Sequence, residues 1–126
     1  MPKHTPYYWI AEPLLEDPGA VEKRMFGCDA FYLHGRLMLV LGSGEEDPWR
    51  GILIPTGRES HAALLKDFPA LERHSVLGKW LYLSEDKEQF EKAAEMIVKR
   101  ILADDPRIGV VPENKRRKRR AKKAKR

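Results

Sequence analysis

The stretch from residue 21 to residue 41 constrains the fold more than any other part of the chain. Two apolar runs, at residues 30–33 and 37–41, are separated by the pair His34-Gly35. A two-residue connection between strand-like runs is typical of a β-hairpin, and its central residues need positive φ angles. Gly adopts such angles without steric cost, and His is enriched there. The sequence therefore predicts a hairpin that turns at His34-Gly35, with helices covering at least one face of its strands.

Strand signal recurs outside this hairpin in short apolar or aromatic runs that end at Gly or Pro. These runs predict further strands at residues 21–26, 49–54 and 80–83, and a short exposed strand at residues 71–76. We therefore expect one α+β domain with two layers, in which helices pack on an antiparallel sheet of about five strands.

Two capping-box patterns mark the starts of the longer predicted helices, at residues 56–59 (Thr-Gly-Arg-Glu) and 86–89 (Asp-Lys-Glu-Gln). Residues at helical spacing, all apolar except His61, follow each pattern. They are His61, Leu64, Leu65 and Phe68 after the first, and Phe90, Ala93, Ala94, Ile97, Ile101 and Leu102 after the second. The sequence thus predicts helices near residues 57–68 and 87–103.

Two further expectations concern single positions in these helices. Pro13 is acceptable in the first turn of a helix, so a short helix is predicted over residues 12–17, after an aromatic N-terminal segment that packs on the core. His61 is expected at the boundary of the buried stripe, with its ring edge in water.

The charge of the chain is divided unevenly. Its formal net charge is +5, but all 19 carboxylates and 14 of the 24 basic residues lie in residues 1–114, which gives that part a charge of minus five. The remaining ten basic residues are Lys115, Arg116, Arg117, Lys118, Arg119, Arg120, Lys122, Lys123, Lys125 and Arg126. Such a block cannot bury enough apolar surface to offset the entropy of ordering. We expect a domain at residues 1–106 and, at residues 107–126, a linker and a disordered polybasic tail that binds nucleic acid without reading its sequence.

The sequence offers little support for catalysis, metal binding or membrane insertion. Cys28, His34, His61 and His74 lack the paired short spacing of zinc sites, and Cys28 is expected to be a small buried hydrophobe. We see no signal peptide and no apolar run near the roughly 18 residues of a membrane span. The expected protein is cytoplasmic and non-enzymatic, with no cofactor, no metal and no catalytic residue.

Eight residues of the body form a recognisable set: Val21, Arg24, Met25, Phe26, Gly27, Phe31, Gly35 and Trp80. With them, residues 8–103 resemble the N-terminal domain of TfoX-type competence regulators, although Cys28 stands where that family commonly has a second Gly and the basic tail replaces a C-terminal domain. The second half, with Phe68-Pro69 and Gly78-Lys79-Trp80, also resembles YjbR/MmcQ-type proteins. Both resemblances imply an antiparallel sheet with packed helices and a regulatory or DNA-linked role.

Three functional interpretations remain open. The first is an accessory or regulatory protein that associates with nucleic acid through its tail, while its body recognises a partner. The second is a protein-interaction module that uses the exposed sheet or residues 7–9, with the tail contacting an acidic partner or a membrane surface. The third is an enzyme or small-ligand binder, for which no motif is present.

Overall fold

A computed structural model describes residues 7–25, 27–47 and 49–111. The described residues form six strands: β1 (Ala20–Met25), β2 (Cys28–Leu33), β3 (Arg36–Leu41), β4 (Gly51–Ile54), β5 (Glu72–Arg73) and β6 (Leu81–Ser84). They also form three α-helices: α1 (Tyr8–Leu15), α2 (His61–Asp67) and α3 (Phe90–Leu102). All neighbouring strands pair antiparallel, in the order β1-β2-β3-β4-β6-β5. The predicted α+β class with an antiparallel sheet is confirmed.

The hairpin of β2 and β3 turns at the predicted pair, with φ angles of 53° at His34 and 83° at Gly35. The register of the two strands shifts once, because Phe31 pairs with Leu39 while Tyr32 pairs with Leu37. The extra residue is Met38, which forms a β-bulge. Met38 and Leu39 can therefore both face the helices, which explains how an unbroken apolar run fits a strand with a two-residue period.

The two faces of the sheet carry separate hydrophobic clusters. On the inner face, strand residues such as Phe31 and Leu39 pack with buried residues of the three helices. On the outer face, away from the helices, the buried residues are Cys28, Ala30, Leu37, Val40, Leu53 and Tyr82. Partly exposed residues pack against this outer cluster, namely Tyr32, Trp49, Leu77, Trp80 and Val110. The outer face is therefore covered by aromatic and aliphatic side chains from strand β2, from loops and from the C-terminal segment.

Helix α1 differs from its prediction, since it spans Tyr8–Leu15 rather than residues 12–17. Pro13 lies inside the helix and removes one backbone hydrogen bond. The helix nevertheless buries Ile10, Ala11 and Leu14 in the inner cluster, and this burial outweighs the missing bond. Tyr7 packs edge-on against Phe90, with ring centroids 5.6 Å apart, so the first described residue does contact the core.

The two predicted capping boxes do not form. Helix α2 begins at His61 after a 3₁₀ turn over Arg58–Ser60, and helix α3 begins at Phe90; no side chain caps either start. The Thr56 hydroxyl instead donates to the carbonyl of Arg107, so a tertiary partner has replaced the local one. His61 is only 2% exposed rather than at the solvent boundary, because its Nε2 lies 2.7 Å from the carbonyl oxygen of Lys79.

None of the helices in the described part of the chain has the length and apolar character needed to cross a lipid bilayer.

Candidate nucleic-acid interface

The C-terminal segment of the described chain enters the sheet between β3 and β4. These two strands pair only through Val40 with Leu53 and Leu41 with Ile52, and they separate beyond that point. Val110 occupies the gap and exchanges both backbone hydrogen bonds with Leu37, at 2.8 and 3.0 Å. On the other side, the Gly109 N–H donates to the carbonyl oxygen of Pro55, at 2.6 Å. The segment thus bridges β3 to the chain that follows β4.

Side chains from two other regions, and one side chain of its own, hold this segment in place. The Arg36 guanidinium donates to the carbonyls of Ile108 and Gly109, at 3.3 and 3.0 Å. The Thr56 hydroxyl donates to the carbonyl of Arg107, and Ile108 is buried in the inner cluster. The contacts of the body therefore continue past residue 106, where the sequence analysis placed the start of a linker.

An ion-pair network anchors the beginning of the same segment to helix α2. The Arg107 guanidinium lies 2.7 Å from Asp105 Oδ2 and 2.7 Å from Asp67 Oδ2. Hydrogen bonds from the Arg107 side chain, together with its backbone N–H, hold the pKa of the Asp105 carboxyl below its usual value, although burial opposes the shift. We call residues 105–110 the C-terminal clamp.

The ten basic residues predicted to bind nucleic acid, residues 115–126 without the two alanines, lie outside the described residues. The structure describes the chain as far as residue 111. Val110 is bonded to β3, and Lys115 follows it five positions later in the sequence.

Aromatic side chains flank the place where the chain leaves the body. Tyr32 on β2 pairs with Leu37, and Leu37 pairs in turn with Val110. Lys23 on β1 places its ammonium 5.2 Å from the centroid of the Tyr32 ring. On the opposite side, Trp80 directly precedes β6 and packs against the same outer cluster. Tyr32 and Lys23 share a face because Lys23 pairs with Ala30, which lies two positions before Tyr32 on β2. The sequence shows the strand period but not this register, so neither residue was predicted to belong to a site.

The histidines and the cysteine considered from the sequence lie in different structural settings. Cys28 is buried in the outer cluster, and burial raises the pKa of its thiol, which disfavours the reactive thiolate. His34 lies in the hairpin turn, with Nε2 3.2 Å from Asp17 Oδ2. His74 Nδ1 accepts backbone N–H bonds from Val76 and Leu77, at 3.1 and 2.8 Å, and so shapes the loop before β6.

A polar cleft of about 300 Å³ lies beside Tyr82. The Tyr82 hydroxyl donates to Asp47 Oδ1 and accepts the N–H of Arg50, both at 2.9 Å. Burial, followed by the bond to Asp47, raises the pKa of this hydroxyl, so it stays protonated at neutral pH. Tyr82 therefore orders the chain around Asp47 and Arg50 and is unsuited to act as a base.

A second cleft, of about 690 Å³, lies at the start of helix α3 and is lined in part by Tyr7, Trp9 and Glu85. Burial, and after it the nearby Glu85 carboxylate, raises the pKa of the Tyr7 hydroxyl. In the described part of the chain this hydroxyl has no hydrogen bond of acceptable geometry. Because Glu85 also binds the Arg50 guanidinium, at 2.7 Å, its carboxylate is already engaged.

No family model, no curated protein and no solved structure matches this chain. The resemblance to the TfoX N-terminal domain and to YjbR/MmcQ-type proteins thus stays a prediction.

Proposed function

We propose that this protein is a non-enzymatic accessory or regulatory protein that associates with nucleic acid through its basic tail. The tail supplies affinity for phosphates that does not depend on base sequence, and the body supplies contacts to a partner. The observation that carries this proposal is the C-terminal clamp. It holds Val110 in the sheet, five positions before Lys115, the first of ten basic residues.

The opposite charges of the two parts support the assignment of phosphate binding to the tail. Residues 1–114 carry minus five and repel a polyanion on average, whereas residues 115–126 carry ten cations and no acid. Each phosphate that is neutralised on duplex DNA adds about 0.9 to the slope of log affinity against log salt. A tail that uses six or more cations should lose affinity on the order of a thousandfold between 50 and 200 mM salt.

The contacts of the clamp support the same assignment. Several specific hydrogen bonds hold residues 107–109, which precede the tail in the sequence. Arg36, Thr56 and Asp67 all bind this short segment, and they come from three separate elements. A solubilising extension needs no fixed exit. A tail that must deliver its ligand to a particular face of the body does need one.

Titration of two labelled duplexes of unrelated sequence tests the proposal. The full chain should bind both with similar affinity and with a steep salt dependence, and a chain ending at residue 114 should lose this binding. The shortened chain keeps every described residue, so a matching thermal transition in the two proteins shows that the body is intact. Equal binding by the two proteins, or a strong preference of the full chain for one duplex, would place recognition in the body and overturn the proposal.

A groove between α1 and α3 favours a second function, the binding of a protein partner. It has a volume of about 370 Å³ and a mainly apolar lining that includes Trp9, Pro13, Val98 and Leu102. Trp9 and Leu102 are 40% and 45% exposed, which is high for large apolar side chains. Exposed apolar residues that cluster around a groove are typical of protein-binding surfaces.

The two functions predict different effects of substituting Trp9 and of removing the tail. If protein binding were the main role, Trp9→Ala would abolish association with the cellular partner, and removal of the tail would leave that association unchanged. If nucleic-acid association is the main role, removal of the tail eliminates duplex binding and Trp9→Ala preserves it. Measurements on both variants therefore separate the two functions.

A further inference from the structure

Strand β1 forms an open edge of the sheet. It pairs with β2 on one side, and within the described part of the chain no strand pairs with its other side. Its six residues include no Pro, and its pairing with β2 runs without a register shift. The edge strand at the opposite end of the sheet, β5, has only two residues. Very short edge strands resist pairing with another chain, whereas longer regular ones invite it, so β1 is the edge to which a further strand can add.

The backbone groups of β1 that face the open edge belong to its even-numbered residues. The His34 N–H donates to the carbonyl of Gly19, at 3.4 Å, so the odd-numbered Gly19 faces the β2 side. In an antiparallel pair, residues that are hydrogen-bonded to the neighbour alternate with residues whose groups point away from it. The N–H and carbonyl groups of Glu22 and Arg24 therefore point to the open edge. The Ala20 N–H agrees with this alternation, because it donates to the turn before β1 rather than to β2.

The charges of β1 favour pairing with a second copy of the same strand. If two copies pair antiparallel about a two-fold axis at Lys23, each Glu22 lies opposite the partner's Arg24. These are the residues whose backbone groups face the edge, so both pairs can exchange their two hydrogen bonds. Their side chains also carry opposite charges at directly opposite positions, which stabilises a pair of strands. An axis at Glu22 or at Arg24 would instead place like charges opposite each other.

The side chains of Glu22 and Arg24 are already positioned by their own chain. The Tyr8 hydroxyl donates to Glu22 Oε1 at 2.7 Å, and Arg24 Nη1 donates to Asp29 Oδ1 at 2.8 Å. A carboxylate and a guanidinium can each form several hydrogen bonds, so these contacts do not saturate either group. The Arg24 side chain is 52% exposed, which leaves it accessible to a partner. Because both side chains are held in place, they lose less conformational entropy when they pair across an interface.

Lys23 opposes this pairing, because it lies on the axis, opposite the partner's Lys23. Its ammonium, however, lies 5.2 Å from the centroid of the Tyr32 ring on β2. Since β2 lies on the side of β1 away from the open edge, the two ammonium groups point away from each other. Four backbone hydrogen bonds and two ion pairs therefore act against a single repulsion between separated charges.

We propose that β1 is a self-association site, through which two copies of this chain join their sheets edge to edge in a dimer centred on Lys23. The occupant of the edge is a second copy, because the order Glu22-Lys23-Arg24 is complementary to itself when the axis lies at its middle residue. The inference goes beyond the proposed function, since it uses neither the tail nor the C-terminal clamp.

Sedimentation equilibrium of the nuclease-treated full chain measures the dimer, and we expect a monomer–dimer equilibrium at chain concentrations up to roughly 1 mM. Lys23→Thr should strengthen the dimer about threefold, because it removes the pair of like charges. Glu22→Lys should weaken it about tenfold or more, because it turns both attractive pairs into repulsive ones. Glu88→Lys is the matched control, since it makes the same charge change at an exposed position before α3, and should leave the dimer within about twofold. A thermal transition recorded for each variant shows that the fold is intact.

Cysteine cross-linking tests the register of the two strands. Lys23→Cys places the two introduced thiols opposite each other, with Cβ atoms about 5 Å apart, and mild oxidation should link them into a dimer. Val21→Cys is the matched control on the same face of the same strand. Its two copies lie four positions apart in this register, about 14 Å along the strand, and should stay unlinked. The native Cys28 is buried and takes part in neither reaction.

Three results would overturn the inference and leave the proposed function standing. The first is a full chain that stays monomeric over the whole concentration range. The second is a dimer that Glu22→Lys leaves unchanged, which would assign self-association to another surface. The third is equal cross-linking of the Lys23→Cys and Val21→Cys variants, which would show that the strands do not pair about an axis at residue 23.

Discussion

Leu37 and Val110 lie 73 positions apart in the chain and exchange both of their backbone hydrogen bonds, at 2.8 and 3.0 Å. This pair closes the gap where β3 and β4 separate, so the C-terminal end of the body is part of the sheet. The same pair fixes the backbone at residue 110, five positions before the first basic residue of the tail. One backbone pairing therefore both completes the sheet and anchors the segment on which the proposed function depends.

Substitution of Gly109 tests how strongly the clamp depends on its backbone conformation. Gly109 has a φ of +100°, and a Cβ atom built there would lie 2.4 Å from the sulfur of buried Met38. Gly109→Ala should therefore cost about 1–3 kcal/mol in the free energy of unfolding. Gly78→Ala is the control, because its Cβ would meet only Arg58 Nη2, at 3.6 Å, and should cost less than about 0.5 kcal/mol. Urea denaturation of the two variants decides; identical midpoints would contradict the prediction.

The two faces of helix α3 should respond very differently to truncation. Ile97 is fully buried in the inner cluster, so Ile97→Ala removes packed methyl groups and leaves a cavity that costs about 2–5 kcal/mol. Lys99 is exposed on the other side of the helix, and Lys99→Ala should stay within about 0.5 kcal/mol. Comparison of denaturation midpoints tests the pair. Equal midpoints for the two variants would contradict the assignment of Ile97 to the buried face and Lys99 to the exposed face.

Acid should loosen the C-terminal clamp through Asp105. Because its hydrogen bonds with Arg107 lower the folded-state pKa below the ordinary value of 3.8, this carboxylate stabilises the fold above that pH. The contribution is lost as the pH falls through the folded-state pKa. Asp105→Asn should thus cost about 1.5–3 kcal/mol at pH 7, with the difference from the parent chain shrinking in acid.

The exposed carboxylate of Glu95 provides the control for this measurement. Glu95→Gln should change the free energy of unfolding by less than about 0.5 kcal/mol. Unfolding curves for all three chains at neutral and acid pH give the comparison. A gap between Asp105→Asn and the parent chain that is the same at both pH values would argue against an ionic role for Asp105.

Alkaline pH should destabilise the body through its tyrosines. The hydrogen bond to Glu22, followed by burial, raises the pKa of Tyr8 to about 12, and burial with the bond to Asp47 raises that of Tyr82. Their stabilising effect is complete below the unfolded-state pKa of about 10 and is lost as the pH rises from there towards the folded-state values. Tyr8→Phe should flatten the decline of stability above pH 10. Denaturation at a series of pH values, with phenolate absorbance followed in parallel, measures this; an unchanged decline would exclude Tyr8 as a contributor.

The hairpin could be predicted because its information is local. His34-Gly35 supplies a turn that needs positive φ, and the flanking runs have strand character, so neighbouring residues determine the result. The start of helix α2 could not be predicted in the same way. The Thr56 hydroxyl had a local partner in the capping-box pattern, but it donates to Arg107, 51 positions away. Only the tertiary structure shows that the Arg107 carbonyl is an alternative acceptor for this hydroxyl.

The basic residues of the tail were recognisable from composition, whereas the outer-face surface around Val110 was not. Ten basic residues at residues 115–126 are visible in the sequence without any fold. Tyr32, Trp80 and Val110 pack on one cluster only because residues 109 and 110 enter the sheet, and that pairing has no sequence signature. The predicted phosphate-binding residues thus follow from composition alone, whereas the position of the aromatic rings follows only from the tertiary structure.

The gap between β3 and β4 also sets the order in which the sheet can form. A ribosome makes Leu37 73 residues before Val110, so the start of β3 has an open backbone edge while the residues between them are being synthesised. Closing a loop of 73 residues is slow compared with forming the β2–β3 hairpin. An exposed strand edge can pair with other chains. A chain that lacks residues 105–110 should therefore keep this edge of β3 open and aggregate more readily than the full chain.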